Sequence, residues 1–393
     1  MPRTAIRAAV WCGVALIALA GCSTITTSAG EPVTGGSVTT VPAPTTTTGP
    51  PTTATTAVPT TGPRPAPSLD DAARRVDASP RVPMSDDPPV VPIARIADVA
   101  YGPDPEQVLD VLRSSGPSRH DGAIVYVHGG AWVGGDKDLS ATPYARIIEH
   151  LVTDEGWTVF SIDYHLAPNP DDANPTGTAF PAALLDVNRA VRWVKAHAVD
   201  FGVSPENVVV YGHSAGGHLA ALIGTAWNEP SLQPTDLPAN LAVVSPEPAA
   251  VVSLSGPLDP AAWGDSNPDP TNLFSGTRAI AAFGGCAALF YTSCTLAQLH
   301  ALDVSTYADA NDPPMYITQG DLDGIVRPEA QQPVVLRLMA ALPIAYVWYD
   351  LVHDGPPEER NHVLDRAVNT AALQAFLRLA VPDLSSTSGP LVP

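Results

Sequence analysis

Short apolar runs and longer striped stretches follow one another along this chain, and each kind predicts a different element. Ala123–Val127, Trp157–Ile162, Asn207–Tyr211, Ala250–Leu254, Pro314–Thr318 and Ala345–Leu351 are brief and rich in β-branched and aromatic residues, as buried strands are. Phe180 to Ala198 puts Ala183, Leu184, Val187, Ala190, Val191 and Val194 on one stripe and predicts a long helix. Thr142–Val152 predicts another, with Thr142 at the N-cap and Pro143 at the first helical position. A last helix is expected from about Leu364 to Leu379, and Tyr101-Gly102 followed by Val108–Leu112 suggests an early antiparallel pair. Strands alternating with helices imply an α/β fold, a mostly parallel sheet covered on both faces.

The N-terminal region reads differently. Arg3 and Arg7 precede an apolar run, Ala8 to Ala20, that is too short to span a bilayer stably, so residues 1–21 are expected to be a signal peptide. Its end, Leu19-Ala20-Gly21-Cys22, resembles the bacterial lipobox, in which the leader is cut before a cysteine that then receives lipid. Cys22 is therefore the expected lipidation site, tethering the protein to the extracytoplasmic side of the cell membrane. Residues 22–81 form a Thr/Pro-rich linker with few large apolar residues, unable to offset chain entropy by burial and expected to be disordered. The folded body is expected over 82–382, with a C-terminal tail at 383–393.

Composition narrows the partners. A formal charge of −20 argues against nucleic acid and anionic lipid surfaces, which need basic patches. The membrane link rests on lipid, not charge. Of the four cysteines, Cys12 leaves with the leader and Cys22 is used by lipid. Cys286 and Cys294 remain, beyond the membrane where disulfides persist, and are expected to pair.

The chemistry is carried by Gly212-His213-Ser214-Ala215-Gly216, a G-x-S-x-G pattern that follows a predicted strand and opens a small-residue helix. Such a turn lifts a serine hydroxyl above a sheet, and glycines flank it because a neighbouring Cβ would clash. Upstream, His128-Gly129-Gly130-Ala131-Trp132 again closes an apolar strand, and its N–H groups suit an oxyanion hole together with that of Ala215. Serine at its free pKa is a poor nucleophile and needs a base and an orienting acid. Asp321 and Asp323 compete for the acid; His353 and His362 compete for the base.

These motifs, with Asp163-Tyr164-His165-Leu166-Ala167-Pro168, resemble α/β-hydrolase esterases of the hormone-sensitive-lipase-like and BD-FAE-like groups. The hormone-sensitive-lipase branch usually has Asp before the serine and Arg in the Asp-Tyr-Arg-Leu segment. His213 and His165 stand there instead and draw the chain towards the BD-FAE-like and kynurenine-formamidase-like branch. The family spacing Gly-x-x-Asp-x-x-Val points to Asp323, and a base placed just ahead of the last helix points to His362. The resemblance implies two-step acyl transfer on short- or medium-chain carboxylic esters, with Ser214, Asp323 and His362 as triad, Gly129, Gly130 and Ala215 as oxyanion donors, and no metal or cofactor. An amidase, formamidase or peptidase of the same fold, or a silent surface binding protein, is the alternative. Between Leu258 and about Ala308 the alternation breaks down around Trp263, Phe274, Phe283, Leu289 and Phe290. This is either a small cap lining an acyl pocket or a peripheral helix pair with its own core.

Overall fold

In a computed structural model, the described residues are 92–381 apart from 116–120, 140–144, 174, 267–275, 289, 354, 356, 358–359, 365–367 and 369. The signal peptide, Cys22, the linker and the C-terminal tail lie outside them. The principal elements run β1 (Ile93–Ala100), β2 (Val108–Ser114), β3 (Ala123–Val127), α1 (Ala145–Thr153), β4 (Thr158–Ile162), α2 (Ala182–Ala196), β5 (Val208–His213) and α3 (Ala215–Ala226). They continue as β6 (Ala250–Leu254), α4 (Pro260–Ser266), α5 (Gly276–Phe283), α6 (Leu296–Leu302), β7 (Met315–Gly320), α7 (Pro328–Ala341), β8 (Val347–Val352) and α8 (Thr370–Ala380).

The eight strands form one sheet in the order β1-β2-β4-β3-β5-β6-β7-β8. Only the β1–β2 and β2–β4 pairings are antiparallel. From β4 onward every neighbour is parallel, as crossover helices require. These central strands are buried on both faces, which is why they read as continuous apolar runs instead of alternating ones. One apolar layer packs α2, α3, α5 and α7 on the sheet through residues such as Val187, Leu219, Ile280 and Leu338. The other packs α1 and α8 through Ile147, Leu151, Leu373 and Phe376. This three-layer arrangement is the α/β fold expected from the pattern.

Several boundaries differ. Tyr101-Gly102 is not strand but the turn after β1, where the Tyr101 N–H bonds the Gln107 carbonyl at 2.9 Å. The last helix begins at Thr370, later than Leu364, and the proposed Thr142-Pro143 start of α1 lies outside the described residues. Helix α7 has no counterpart in the sequence reading; Pro328 starts it, but Pro333 lies inside it and breaks the helical signal.

The described part of the irregular stretch packs on the main core and does not form a core of its own. Trp263 of α4 and Phe283 of α5 are buried in the main apolar layer, against Trp132 beside the first glycine turn. Phe283 stacks on Trp132 with centroids 4.5 Å apart. Cys286 and Cys294 form a disulfide with Cα atoms 4.7 Å apart, tying the end of α5 to the start of α6. Phe274 and Leu289 lie outside the described residues.

Parallel register brings the carboxyl ends of the central strands to one level. Val127 faces Gly212, His213 faces Leu254, and Gly320 faces Val352. Every loop that carries a candidate residue leaves the sheet at that edge.

Candidate active site

Ser214 sits between β5 and α3 with φ 52° and ψ −122°, a positive-φ conformation that a non-glycine residue holds only where its surroundings impose it. Its own N–H donates to the Leu254 carbonyl at 2.8 Å, and its carbonyl accepts from the His218 N–H at 3.0 Å. The helix must turn back hard on the sheet to achieve this. A Cβ on Gly216 would lie 2.0 Å from the Val127 carbonyl oxygen, so only glycine lets α3 start so close to β3.

The candidate base and acid arrive from the loops after β8 and β7. The Ser214 hydroxyl lies 2.8 Å from His362 Nε2, and the His362 Nδ1–H donates to Asp323 Oδ2 at 3.0 Å. These two contacts fix the imidazole with its acceptor nitrogen on the serine. Asp323 is buried, and its other oxygen accepts the N–H groups of Ile325 and Val326, both at 2.8 Å. Donors of this kind hold the carboxylate in one orientation while leaving Oδ2 for the histidine.

The other two candidates meet each other elsewhere. The His353 Nδ1–H donates to Asp321 Oδ2 at 3.2 Å, and the His353 side chain is 60% exposed. Asp321 also receives the fork of Arg360, with Nε at 2.7 Å, and this guanidinium holds its carboxyl below the usual carboxylate range. Arg360 precedes His362 by two residues, so the outer pair anchors the loop that delivers the inner histidine. A Cβ on Gly320 would meet the Arg360 carbonyl oxygen at 1.9 Å, which shows how closely that loop crosses the end of β7.

The first glycine turn closes over the serine. A Cβ on Gly129 would lie 3.1 Å from Ser214 Cβ, so this glycine backs directly onto the nucleophile. Gly130 has φ 119°, and Ala131 and Trp132 follow with φ 53° and 62°. Three successive residues beside Ser214 thus take positive φ, and Ala215, the first residue of α3, has an N–H with no intrahelical acceptor. His128 locks the turn: its Nδ1–H donates to the Gly129 carbonyl at 2.7 Å, and the Tyr164 hydroxyl donates to the His128 carbonyl at 2.9 Å. Burial lowers the His128 pKa, keeping the ring neutral beside the site.

His213 and His218, both flanking the serine, do other work. The His213 Nε2–H donates to the carbonyl of His362 at 3.0 Å, and the two rings meet edge-to-face at 4.8 Å. Burial, then the neighbouring His362 charge, pushes His213 well below the usual histidine range. His218 is fully buried, donates through Nε2 to the Leu302 carbonyl at 2.8 Å, and is pushed down to about 4 by burial. The sequence placed both histidines beside the motif but gave no sign of these partners, which lie 149 and 84 residues away.

A strained serine on a strand-to-helix turn, a histidine bonded to it and a buried aspartate behind that histidine define an α/β hydrolase. The chain belongs to the BD-FAE family, whose pattern matches residues 109–338. Esterase LipC of Mycobacterium tuberculosis is 38% identical over 136 residues, 34% of this chain and 31% of that protein. Esterase LipQ of the same organism is 35% identical over 158 residues, 39% of this chain and 35% of that protein. The chain thus spans about a third of the length of these curated relatives. A truncated carbohydrate esterase from gut microbiota shares the fold with TM-score 0.56 at 19% identity, covering 76% of this chain and 99% of that one. Esterase B from Lactobacillus Rhamnosis does so with TM-score 0.54 at 18% identity, covering 78% and 87%.

Proposed function

We propose that this protein is a serine carboxylesterase that hydrolyses short- or medium-chain carboxylic esters through an acyl-enzyme. The observation that carries the reading is the Ser214–His362–Asp323 line, 2.8 Å and 3.0 Å between its members, on the strained turn. Esterase names among the relatives support the same class. His362 takes the Ser214 proton as the oxygen attacks the ester carbonyl, and Asp323 stabilises the imidazolium that forms. The N–H groups of Gly129, Gly130 and Ala215 receive the oxyanion; losing one such donor costs about 3 kcal/mol in enzymes of this type. The protonated histidine then releases the alcohol, and water repeats the sequence in reverse to free the acid.

The test is a fluorophosphonate label with a panel of p-nitrophenyl acetate, butyrate and octanoate against aryl amides. Ester turnover and labelling that both vanish in Ser214→Ala support the reading. Amide turnover exceeding ester turnover would replace it with an amidase or formamidase, and an unlabelled wild-type protein would leave only a binding role. Lipidation at Cys22 belongs to the same reading, since it would hold the enzyme outside the membrane at the end of a Thr/Pro-rich tether. Roughly sixty flexible residues reach about 40 Å by the 5–6 Å × √n rule. Cys22→Ser should release the protein into the soluble fraction; unchanged membrane fractionation rejects the anchor.

A further inference from the structure

The acid of the triad is held from a part of the chain outside the catalytic motifs. The Trp263 indole N–H donates to the carbonyl of Ile325 at 2.5 Å. That carbonyl and the Val326 N–H belong to one peptide group, and the Val326 N–H donates to Asp323 Oδ1 at 2.8 Å. A continuous line therefore runs from the Trp263 indole through the 325–326 peptide to the Asp323 carboxylate, then to His362 Nδ1 and Ser214 Oγ. A donor on a peptide oxygen polarises that peptide and strengthens the bond its own N–H makes, more so where water is excluded. Trp263 is 2% exposed and Asp323 is 3% exposed, so the line is dry at this end.

The indole is itself held. Asp259 precedes its helix, and its carbonyl accepts the Trp263 N–H at 3.0 Å while its carboxylate accepts the Ala262 N–H at 3.1 Å. The Asp259 N–H donates to Gln331 Oε1 at 3.2 Å, pinning α4 to α7. On its other side the Trp263 ring packs edge-on against Trp132, with centroids 5.7 Å apart. Trp132 immediately follows the Gly129-Gly130-Ala131 curl, so a single indole touches both the acid turn and the wall of the oxyanion turn.

We propose that Trp263 is a positioning residue for the hydrolysis, acting through Asp323. It orients and polarises the acid turn and sets its distance from the oxyanion turn, giving the irregular α4 segment a role in catalysis beyond lining space. The proposal rests on the acyl-transfer reading of Ser214. It assigns Trp263 no contact with substrate.

The experiment is a double-mutant cycle in the full-length protein with p-nitrophenyl acetate. Trp263→Phe keeps an aromatic ring against Trp132 and removes the N–H. It should lower kcat about tenfold, the loss of one hydrogen bond feeding a charged group, with KM changed by less than about twofold. In an Asp323→Asn background the same change should cost nothing further, because the group it acts through is already gone. A wild-type kcat in Trp263→Phe, or an equal loss in both backgrounds, overturns the proposal. Should the phenylalanine protein not fold, the benzothiophene analogue of tryptophan at position 263 keeps the shape, lacks the N–H and gives the same comparison. A readout independent of turnover is the low-field proton resonance of His362 Nδ1–H, which should move in the Trp263→Phe protein. A resonance that stays in place overturns the relay even in a protein that hydrolyses no ester. Absent labelling of wild-type Ser214 would instead count against the hydrolase reading.

Discussion

Two aspartate–histidine pairs leave the same two strand ends, two residues apart on one loop and nine on the other, and only one of them reaches the serine. Asp323 and His362 are dry and aimed inward, with the Asp323 side chain 0% and the His362 side chain 14% exposed. Asp321 and His353 are wet, with exposures of 21% and 60%, and the aspartate is occupied by Arg360. Residue type is the same in both. What separates them is which backbone donors are on hand: Asp323 has the Ile325 and Val326 N–H groups to hold one oxygen still, whereas Asp321 has a guanidinium that competes for both. A carboxylate can orient an imidazole only when its remaining valence is satisfied from behind. The outer pair is tied to the loop; the inner pair is aimed at the hydroxyl.

The sharpest way to break this comparison is to delete each histidine. His362→Ala is expected to lower kcat for p-nitrophenyl acetate about 10⁴-fold, as removal of a triad member does. His353→Ala should change it by less than about threefold, because an exposed side-chain pair of this kind contributes little. Initial rates on the two purified variants check this, and inactivity of His353→Ala with a working His362→Ala would reverse the roles of the pairs.

His213 bears on why the inner pair stays aimed. Its bond to the His362 carbonyl is a second contact, beside that of Ser214, tying the base loop to the nucleophile turn. His213→Ala should lower kcat roughly 10–30-fold with little change in KM, and His213→Gln, which keeps a donor at similar reach, should recover most of it. Equal losses in both variants would mean that packing, not the hydrogen bond, matters there.

This also shows where sequence stops. The nucleophile turn, the glycine turn and the parallel sheet are local patterns: a run of β-branched residues, then glycines where the chain must bend. They were legible because the constraint and the residues that meet it are neighbours. Choosing Asp323 over Asp321 needed the family spacing, since both aspartates suit a turn. The partners of His213, Trp263 and Arg360 were not legible, for each is a donor meeting an acceptor from a distant loop, and a donor's residue type carries no address. Helix α7 was lost for the opposite reason, a local signal interrupted by Pro333 although burial of Val334, Val335 and Leu338 holds the helix.

Loosening the outer pair should act on the inner one only through the loop. Asp321→Ala removes the acceptor of Arg360 and His353 together but leaves the Leu322 N–H bond to the Arg360 carbonyl, 3.1 Å long. A drop in kcat of about three- to fivefold is expected, with fluorophosphonate labelling of Ser214 slowed in proportion, since the loop keeps other anchors. A loss as large as that of His362→Ala would show that the pairs work as one unit.

Acid pH separates the two regions by stability instead of turnover. His218, in the helix behind Ser214, is pushed down to about 4 by burial. In the unfolded chain it takes a proton near 6.5, so between about pH 6.5 and 4 the unfolded state binds more protons and stability rises with pH. The contribution of its neutral burial is fully present above 6.5 and is lost as pH falls, amounting to about 3 kcal/mol by pH 4. His218→Gln keeps a donor for the Leu302 carbonyl but cannot take a proton. The stability difference between this variant and the wild type should therefore move in favour of the variant across that window, followed by urea unfolding at several pH values. Asp321 shifts in the same direction but over a lower window: Arg360 holds its carboxyl below the usual value of 3.8, so what it contributes is present above that range and is lost as pH falls through it. The difference between Asp321→Asn and wild type should stay flat from pH 6.5 to about 5, a range in which the His218→Gln difference already changes. A sloping line for Asp321→Asn in that window would mean that Asp321 is coupled to a histidine, either His353 beside it or the buried ones around Ser214.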